Sequence, residues 1–451
     1  MFKVANNPQT LQLDNEQPKG VDLTLNNVFI KCVVIAVYLC QMLLLFNRST
    51  FESIVGPVLA VCIIILTFTP YYYIPFAVVL LTPHEVGTVF MGRMSFYMML
   101  GFVLIFRLFV VKFQVKFTLS DIAWLLLGLF NCLHLYIFMF DHVGSGKMTF
   151  MVIFTLWFIY LRCDAKRDEE IFNKFLEAFA VAITTCAAMS LVAQTATLYA
   201  EADRMGLIGI GSNDPNIAAM IISLGIAVTL SSKRLKMWFK VAGVMIMCLT
   251  IITTVSISGF LAILLVMLLL AAIMNKNKHN ISILLIIIFG ALLAVYVFPM
   301  LGIMGGEDAS GETINYLEYY QEKLTDRFDS FLSNNYDDAT SGRTALSRLN
   351  LKYFSEQSAM TQLFGGVDTN PLGEGVSHNT FVDLILRFGY IGFFVVAMII
   401  IYSVVKCMQT TKNTGNCTVL LCKFLMLYWS FTLSIFDGSI AVLWFAIVLM
   451  L

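Results

Sequence analysis

The stretch that decides the fold lies at residues 379–405 and reads NTFVDLILRFGYIGFFVVAMIIIYSVV. Its ionisable residues are Asp383 and Arg387, and most of the others are apolar. Because a transmembrane helix needs about 20 predominantly apolar residues, this stretch predicts a membrane-spanning helix. Both ionisable residues lie near one end of it, next to a polar segment.

The composition of the whole chain agrees with this prediction. Of 451 residues, 59% are hydrophobic and 13% are charged, and the mean hydropathy is +0.82. A soluble domain carries about 25% charged residues, so a soluble enzyme, a disordered protein and a secreted disulfide scaffold are excluded. The formal net charge is zero, so no basic field attracts nucleic acid, and we expect no nucleic-acid partner.

Similar apolar runs recur along the chain and predict about fourteen membrane helices, with twelve as the lower limit. The expected fold is an all-α, polytopic integral membrane protein with one large, partly helical extracytoplasmic loop. The predicted spans lie near residues 28–46, 54–72, 74–91, 94–111, 121–140, 147–162, 174–195, 214–231, 237–255, 258–274, 281–302, 379–405, 418–436 and 438–451.

The distribution of Lys and Arg predicts the orientation. Basic residues gather in alternate short connections, such as 162–174 and 233–240, as the positive-inside rule requires of cytoplasmic loops. The predicted regions are a cytoplasmic tail at 1–27, transmembrane helices 1–11 at 28–302, the extracytoplasmic loop at 303–377 and transmembrane helices 12–14 at 378–451.

The long loop at 303–377 is the polar exception, with twelve acidic and five basic residues and a net charge of −7. Loops longer than about 15 residues are usually functional or disordered. Apolar residues at helical spacing in 316–331 favour a folded loop. A second amphipathic helix is predicted to begin at Thr340 or Ser341 as N-cap. Its predicted apolar face consists of Leu346, Leu349 and Tyr353.

Three cations lie in this acidic loop. Arg348 and Lys352 share one face of the second predicted helix, and Arg343 lies in its first turn on the opposite flank. One interpretation is that they neutralise acidic neighbours. The other is that Arg343 and Arg348 hold an anionic group at the membrane surface, because the planar guanidinium makes bidentate hydrogen bonds to phosphate.

A polar stripe marks the start of the span at 379–405. Asn379, Asp383 and Arg387 follow one another at intervals of four residues. Ionisable residues within a span usually face the bundle interior or a wet cavity and are functional candidates, although Asp383 and Arg387 could simply satisfy one another. His378 precedes the stripe. It could have either a structural role or a catalytic, substrate-orienting role.

A second polar segment follows the seventh span. Arg204 precedes a glycine-rich stretch, and Asp214-Pro215-Asn216 predicts a helix start. Free N–H groups at a helix N-terminus bind anions. Arg204 is predicted on the same side of the membrane as Arg343 and Arg348.

Three of these segments together resemble the bacterial O-antigen polymerase and O-antigen ligase superfamily. They are Gly-Ser-Asn-Asp-Pro-Asn-Ile-Ala-Ala at 211–219, Ser341-Gly342-Arg343, and the stretch from His378-Asn379 through Gly389 and Gly392. One departure is Ser256-Ile257-Ser258-Gly259, where many relatives carry Ser-Arg.

This resemblance implies glycosyl transfer at the outer face of the bacterial inner membrane, with an undecaprenyl-diphosphate-linked glycan as donor and another as acceptor. It implies no metal and no other cofactor. Arg204, Arg343 and Arg348 would bind the diphosphate, Arg343 and Arg348 as catalytic cations, and His378 would orient or deprotonate the acceptor hydroxyl. The remaining predicted substrate-binding residues are Asn216, Lys352, Asn379, Asp383 and Arg387. Membrane lipid, a flippase and chain-length regulators are the implied partners.

Within the superfamily, the acidic loop favours a polysaccharide polymerase over a ligase that transfers glycan to lipid A-core. A different class, a lipid-linked oligosaccharide flippase or other transporter, stays open. Transporters often contain internal repeats and place polar residues near the midplane. This sequence has no recognisable repeat, and its polar features gather at one predicted membrane face.

Overall fold

A computed structural model describes the chain in part. The described residues are 27–46, scattered positions in 54–65, 169–195, 215–232, 234–254, 256–273, 305–307, 313–315, a few positions in 325–333, 342–368, 371–372 and 378–433. The predicted spans at 74–91, 94–111, 121–140, 147–162, 281–302 and 438–451 lie outside them, as do most of 54–72 and Arg204.

Helices dominate the part of the chain that the structure describes, so the all-α prediction is confirmed at this level. Helices α1–α5, α8 and α9 coincide with predicted spans, although α8 continues further and α9 ends earlier than predicted. The helices are α1 Asn27–Phe46, α2 Glu169–Thr195, α3 Pro215–Ser231, α4 Met237–Thr253, α5 Ile257–Ile273, α6 Arg343–Ser355, α7 Ala359–Phe364, α8 Thr380–Thr414 and α9 Thr418–Ser430.

The long loop also contains a small antiparallel hairpin. Strand β1 spans Gly305–Glu307 and pairs with β2, Thr313–Asn315, with Gly305 opposite Asn315. The prediction of a loop with helices as its regular structure was incomplete here. Strands of three residues are too short to display the alternation by which a strand is recognised in a sequence.

Helix α3 lies at the centre of the bundle and contacts α2, α4, α5 and α9. It is apolar on all sides, as expected of a buried helix, and small residues let its neighbours approach closely. A Cβ on Gly225 would lie 2.6 Å from Ile183 Cγ2 on α2, and one on Gly259 of α5 would lie 2.7 Å from Ala219 Cβ. Larger residues would therefore push these helices apart.

Among the described residues, one helix is long and apolar enough to cross a membrane, Thr380–Asn413. Helices α3, α4 and α5 have 17 residues each, which corresponds to about 26 Å at 1.5 Å per residue. The hydrocarbon core of a bilayer is about 30 Å thick. Length and composition therefore support one span directly, and the fourteen-span count stays a prediction.

Helix α8 is broken at Gly389, which has φ 68° and ψ −174°. We call residues 380–388 the short arm and residues 390–414 the long arm. The predicted span at 379–405 is thus supported by a helix of sufficient length, which contains a break that the sequence analysis did not anticipate. The Gly366 N–H donates to the Arg387 carbonyl (2.9 Å) and the Val367 N–H to the Leu386 carbonyl (3.1 Å), so the loop supplies donors to carbonyls at the end of the short arm.

The long arm has a buried side and an exposed apolar side. Val396, Ile400, Ser403 and Cys407 are buried, and the long arm packs on α9. A continuous apolar strip of this size normally faces lipid or a partner. We call it the apolar strip; it consists of Tyr390, Ile391, Phe394, Val395, Met398, Ile401, Tyr402, Val405 and Met408.

A buried lysine links the long arm to α9. Lys423 is completely buried, and its ammonium donates to the Ser403 hydroxyl and, over 3.4 Å, to the Ser403 carbonyl. A buried ammonium is tolerated when such acceptors surround it. This contact fixes the two helices relative to each other inside an apolar bundle.

Candidate functional site

The ends of four helices meet at one end of the bundle. They are the N-termini of α3, α5 and α8 and the C-terminus of α9, and α6 from the long loop is bonded to them. Helix ends carry backbone groups that the helix itself does not satisfy. This end is therefore a polar region that several of the described helices share.

Arg343 connects the long loop to the bundle. Its Nη1 donates to the Thr432 carbonyl over 2.7 Å, just beyond the C-terminus of α9. The negative end of a helix dipole and its unsatisfied carbonyls favour a cation at this place. The half-buried guanidinium is thus held in a defined position at the bundle end.

The predicted N-cap of α6 was wrong. Its N-cap is Gly342, with φ 74° and no side-chain cap hydrogen bond, instead of Thr340 or Ser341. The left-handed conformation of Gly342 turns the chain sharply. Arg343 therefore becomes the first helical residue and is directed at α9.

The short arm is anchored beside Arg343. The Thr380 hydroxyl donates to the Leu433 carbonyl over 2.5 Å, while Arg343 binds the neighbouring carbonyl of Thr432. Asn379 is the N-cap: its Oδ1 accepts from the N–H groups of Phe381 (3.0 Å) and Val382 (3.3 Å). The side-chain oxygen of this predicted substrate-binding residue therefore stabilises the helix start.

His378 directly precedes this cap and has φ 50°. Positive φ is uncommon for residues other than glycine, so the fold imposes this conformation. His378 is half-buried and lies two residues from Thr380. Thr380 and Arg343 are bonded to consecutive residues of one turn. Two predicted catalytic residues, His378 and Arg343, therefore lie at the same end of the bundle.

A chain of hydrogen bonds joins α3, α5 and α9 at this end. The Ser256 hydroxyl donates to Asn216 Oδ1 (2.9 Å) and accepts from the Gly259 N–H (3.1 Å). The Tyr428 hydroxyl donates to the Ser258 carbonyl over 3.0 Å, and Tyr428 lies one helical turn before Thr432, whose carbonyl binds Arg343. Asn216, predicted from its helix start, therefore belongs to the same polar region as Arg343.

Tyr428, Thr432 and Thr380 were missed by the sequence reasoning. The hydrogen bonds that join them to this region connect residues far apart in the chain, and all three bonds are accepted by backbone carbonyls. The segment Ser256-Ile257-Ser258-Gly259 lacks the Arg that the resemblance would imply. The Ser256 hydroxyl instead donates to Asn216 Oδ1.

Asp383 and Arg387 lie on the short arm and are 1% and 6% exposed. The polar stripe therefore faces the protein interior, as its spacing predicted. Burying a carboxylate and a guanidinium is costly, and such residues within an apolar bundle mark functional sites by default.

Arg348 and Lys352 lie on the outward face of α6 and are exposed. The face that packs on the rest of the protein contains Asn350 and Phe354. Of the predicted apolar face, Tyr353 packs on this side and Leu346 is half-buried, whereas Leu349 is 38% exposed. A search for apolar spacing overlooks a buried asparagine such as Asn350. The structure thus brings Arg343 to the bundle end and leaves Arg348 and Lys352 exposed on the same helix.

No protein-family model matches this chain. The comparisons with curated proteins and with solved structures also gave no significant match. The convergence of Arg204 with Arg343 stays a prediction, because Arg204 lies outside the described residues.

Proposed function

We propose that this chain is a polytopic membrane glycosyltransferase with about fourteen transmembrane helices. It would polymerise undecaprenyl-diphosphate-linked oligosaccharide repeat units into a surface polysaccharide, such as O-antigen, capsule or exopolysaccharide. The observation that carries the proposal is the position of Arg343, whose guanidinium is fixed at the polar end of an otherwise apolar bundle. A lipid-linked anion would meet the protein at such a place.

The proposed reaction needs a cation and a base. The acceptor hydroxyl attacks the anomeric carbon of the donor sugar, and the bond from that carbon to the phosphate oxygen breaks with its electron pair moving to the diphosphate. Arg343 stabilises the developing negative charge. This electrostatic stabilisation is strongest in a site from which water is excluded. His378 takes the proton of the hydroxyl, the task for which histidine is most often used.

The other predicted site residues surround Arg343 and His378 in this proposal. Asn216, Asp383 and Arg387 belong to the polar bundle end or the buried short arm beside it. Arg204, Arg348 and Lys352 would add positive charge around the diphosphate from outside. We place the protein in the bacterial inner membrane with this end toward the periplasm or cell exterior, where a flippase supplies the donor and chain-length regulators act on the product.

The decisive experiment uses purified protein in lipid nanodiscs with undecaprenyl-diphosphate-linked material extracted from cells that lack this gene. A ladder of products on a gel is the expected result. A single transfer to added lipid A-core would instead identify a ligase, and the absence of any transfer would favour a transporter and overturn the proposal.

We expect polymer formation to survive excess EDTA, because arginine supplies the positive charge that a divalent cation provides in other glycosyltransferases. The measurement is the ladder assay after dialysis against EDTA. A loss of product that magnesium restores would contradict the metal-independent mechanism.

Replacing His378 by asparagine is expected to lower turnover by about 10²-fold or more, the contribution of a general base, while donor binding changes little. Asparagine tolerates the left-handed conformation of this residue, so the fold should persist. His378→Gly is the matched control for the backbone. If either variant turns over at the normal rate, His378 has a conformational role alone.

A further inference from the structure

Helix α7 exposes apolar side chains on one face. Met360, Leu363 and Phe364 occupy positions i, i+3 and i+4 of this short helix and are exposed, Met360 by 66%. Leu372 is also exposed a few residues later. We call these four residues the apolar patch. A polar loop with an amphipathic segment of this kind has a surface that water does not solvate well.

The opposite face of α7 is polar and bound to the protein. Gln362 Nε2 donates to the carbonyls of Ser355 (2.8 Å) and Gln357 (2.9 Å). The Ser358 hydroxyl accepts from the Thr361 N–H over 3.2 Å as the N-cap. These bonds fix the rotation of α7, so the apolar patch is directed outward by the fold.

Helix α7 is locked against the break in α8. A Cβ on Gly389 would lie 2.4 Å from the Leu363 carbonyl oxygen, and Gly366 and Val367 are hydrogen-bonded to the short arm. Tyr390 and Ile391, the first exposed residues of the long arm, follow directly. The apolar patch therefore adjoins the start of the apolar strip.

The length of the long arm indicates the depth of α7 relative to a bilayer. From Tyr390 an α-helix spans about 24 Å to Lys406 and about 33 Å to Lys412, and the hydrocarbon thickness of about 30 Å lies between these values. Tyrosine and lysine are the residues expected at the two interfaces. Gly389, and α7 packed against it, therefore lie at one edge of the hydrocarbon layer.

We propose that the apolar patch inserts into the adjacent leaflet of the membrane as an interfacial anchor, with phospholipid acyl chains as its occupant. Helices with one apolar and one polar face lie in this way at the boundary between headgroups and acyl chains. Arg348 and Lys352, exposed on α6, would lie near the headgroups, where their charge suits lipid phosphate. Because Gly366 and Val367, which follow α7, are hydrogen-bonded to the short arm, this insertion fixes the depth of Asp383 and Arg387 in the membrane. The proposal needs the membrane span of α8 and does not depend on glycosyl transfer.

The test is a spin label at Met360→Cys in full-length protein in nanodiscs, with the native cysteines replaced by alanine. Phe394→Cys, on the apolar strip, is the lipid-facing control, and Ser355→Cys, exposed and polar, is the aqueous control. We expect the label at residue 360 to collide more with oxygen than with a water-soluble nickel chelate, and to lie at a shallower depth than the label at residue 394. Preferential collision with the chelate, or protection from both, would overturn the proposal, since protection indicates cover by protein.

A photoreactive amino acid at position 360 repeats the test with the native cysteines retained. Cross-links to radiolabelled phospholipid are expected, and cross-links to a second copy of the chain or to water alone would refute the anchor. The ladder assay on the same samples tests the enzymatic proposal separately. An inactive protein with lipid cross-links would therefore refute one proposal and support the other.

Discussion

Replacing Arg343 by glutamine is expected to lower polymer formation by about 10²- to 10³-fold, the usual effect of removing one donor to a developing oxyanion. Glutamine keeps an N–H group that can donate toward the Thr432 carbonyl, which Arg343 binds over 2.7 Å. The substitution therefore removes the charge while the contact between α6 and α9 can persist. Product is measured in the ladder assay at equal amounts of folded protein.

Two further variants separate charge from packing. Arg343→Lys keeps the charge and should recover part of the activity, although lysine lacks the bidentate fork. Arg348→Gln makes the same change at an exposed residue of the same helix, and we expect a loss of about fivefold or less, because an exposed charge is worth up to about 1 kcal/mol. Near-normal ladders from Arg343→Gln would exclude this residue from the diphosphate site.

Replacing Gly389 by alanine is expected to destabilise the protein by about 3 kcal/mol or more. Part of this cost is the backbone conformation, φ 68° and ψ −174°, a region essentially restricted to glycine that costs about 1–3 kcal/mol for other residues. The rest is steric, because the new Cβ would lie 2.4 Å from the Leu363 carbonyl oxygen and 2.6 Å from the Gly365 nitrogen. Backbone atoms cannot move aside as a flexible side chain can, so α7 would separate from the break in α8.

Gly342→Ala is the matched control for this effect. Gly342 also has a positive φ, 74°, but its ψ of −4° lies closer to the αL region, and no atom lies within 4 Å of a Cβ built there, so the cost should stay at about 1–2 kcal/mol. Thermal unfolding in detergent, followed by fluorescence-detected size-exclusion chromatography, compares the two variants. Equal unfolding temperatures would show that the packing of Leu363 on Gly389 is unimportant.

The helices could be predicted because their signal is local. An apolar run such as that of α5 identifies a buried helix or span from composition alone, and helix ends followed recognisable residues such as Pro215 at the start of α3. The break in α8 gave no comparable signal. Gly389 lies within a mostly apolar sequence. The N–H groups that bind the carbonyls at the break come from Gly366 and Val367, which are far from Gly389 along the chain.

The site could be predicted only in part, because the sequence pattern around a residue does not reveal partners that are distant along the chain. Arg343, His378 and Asn216 stood out as polar residues beside helix starts, whereas the partners that place them did not. The Thr432 carbonyl is a backbone group, which every residue possesses, and Arg343 reaches it across 89 positions of the chain. Contacts of this kind depend on how helices pack, and residue types alone do not encode them.

The two neighbouring carbonyls after α9 have a mechanical consequence. The Thr432 carbonyl binds Arg343 and the Leu433 carbonyl binds Thr380, so the loop helix and the start of α8 are attached to two consecutive peptide units. If α9 tilts or slides, both attached segments are expected to move with it. The separation between Arg343 and the start of α8 would then change little, even where the surrounding helices shift.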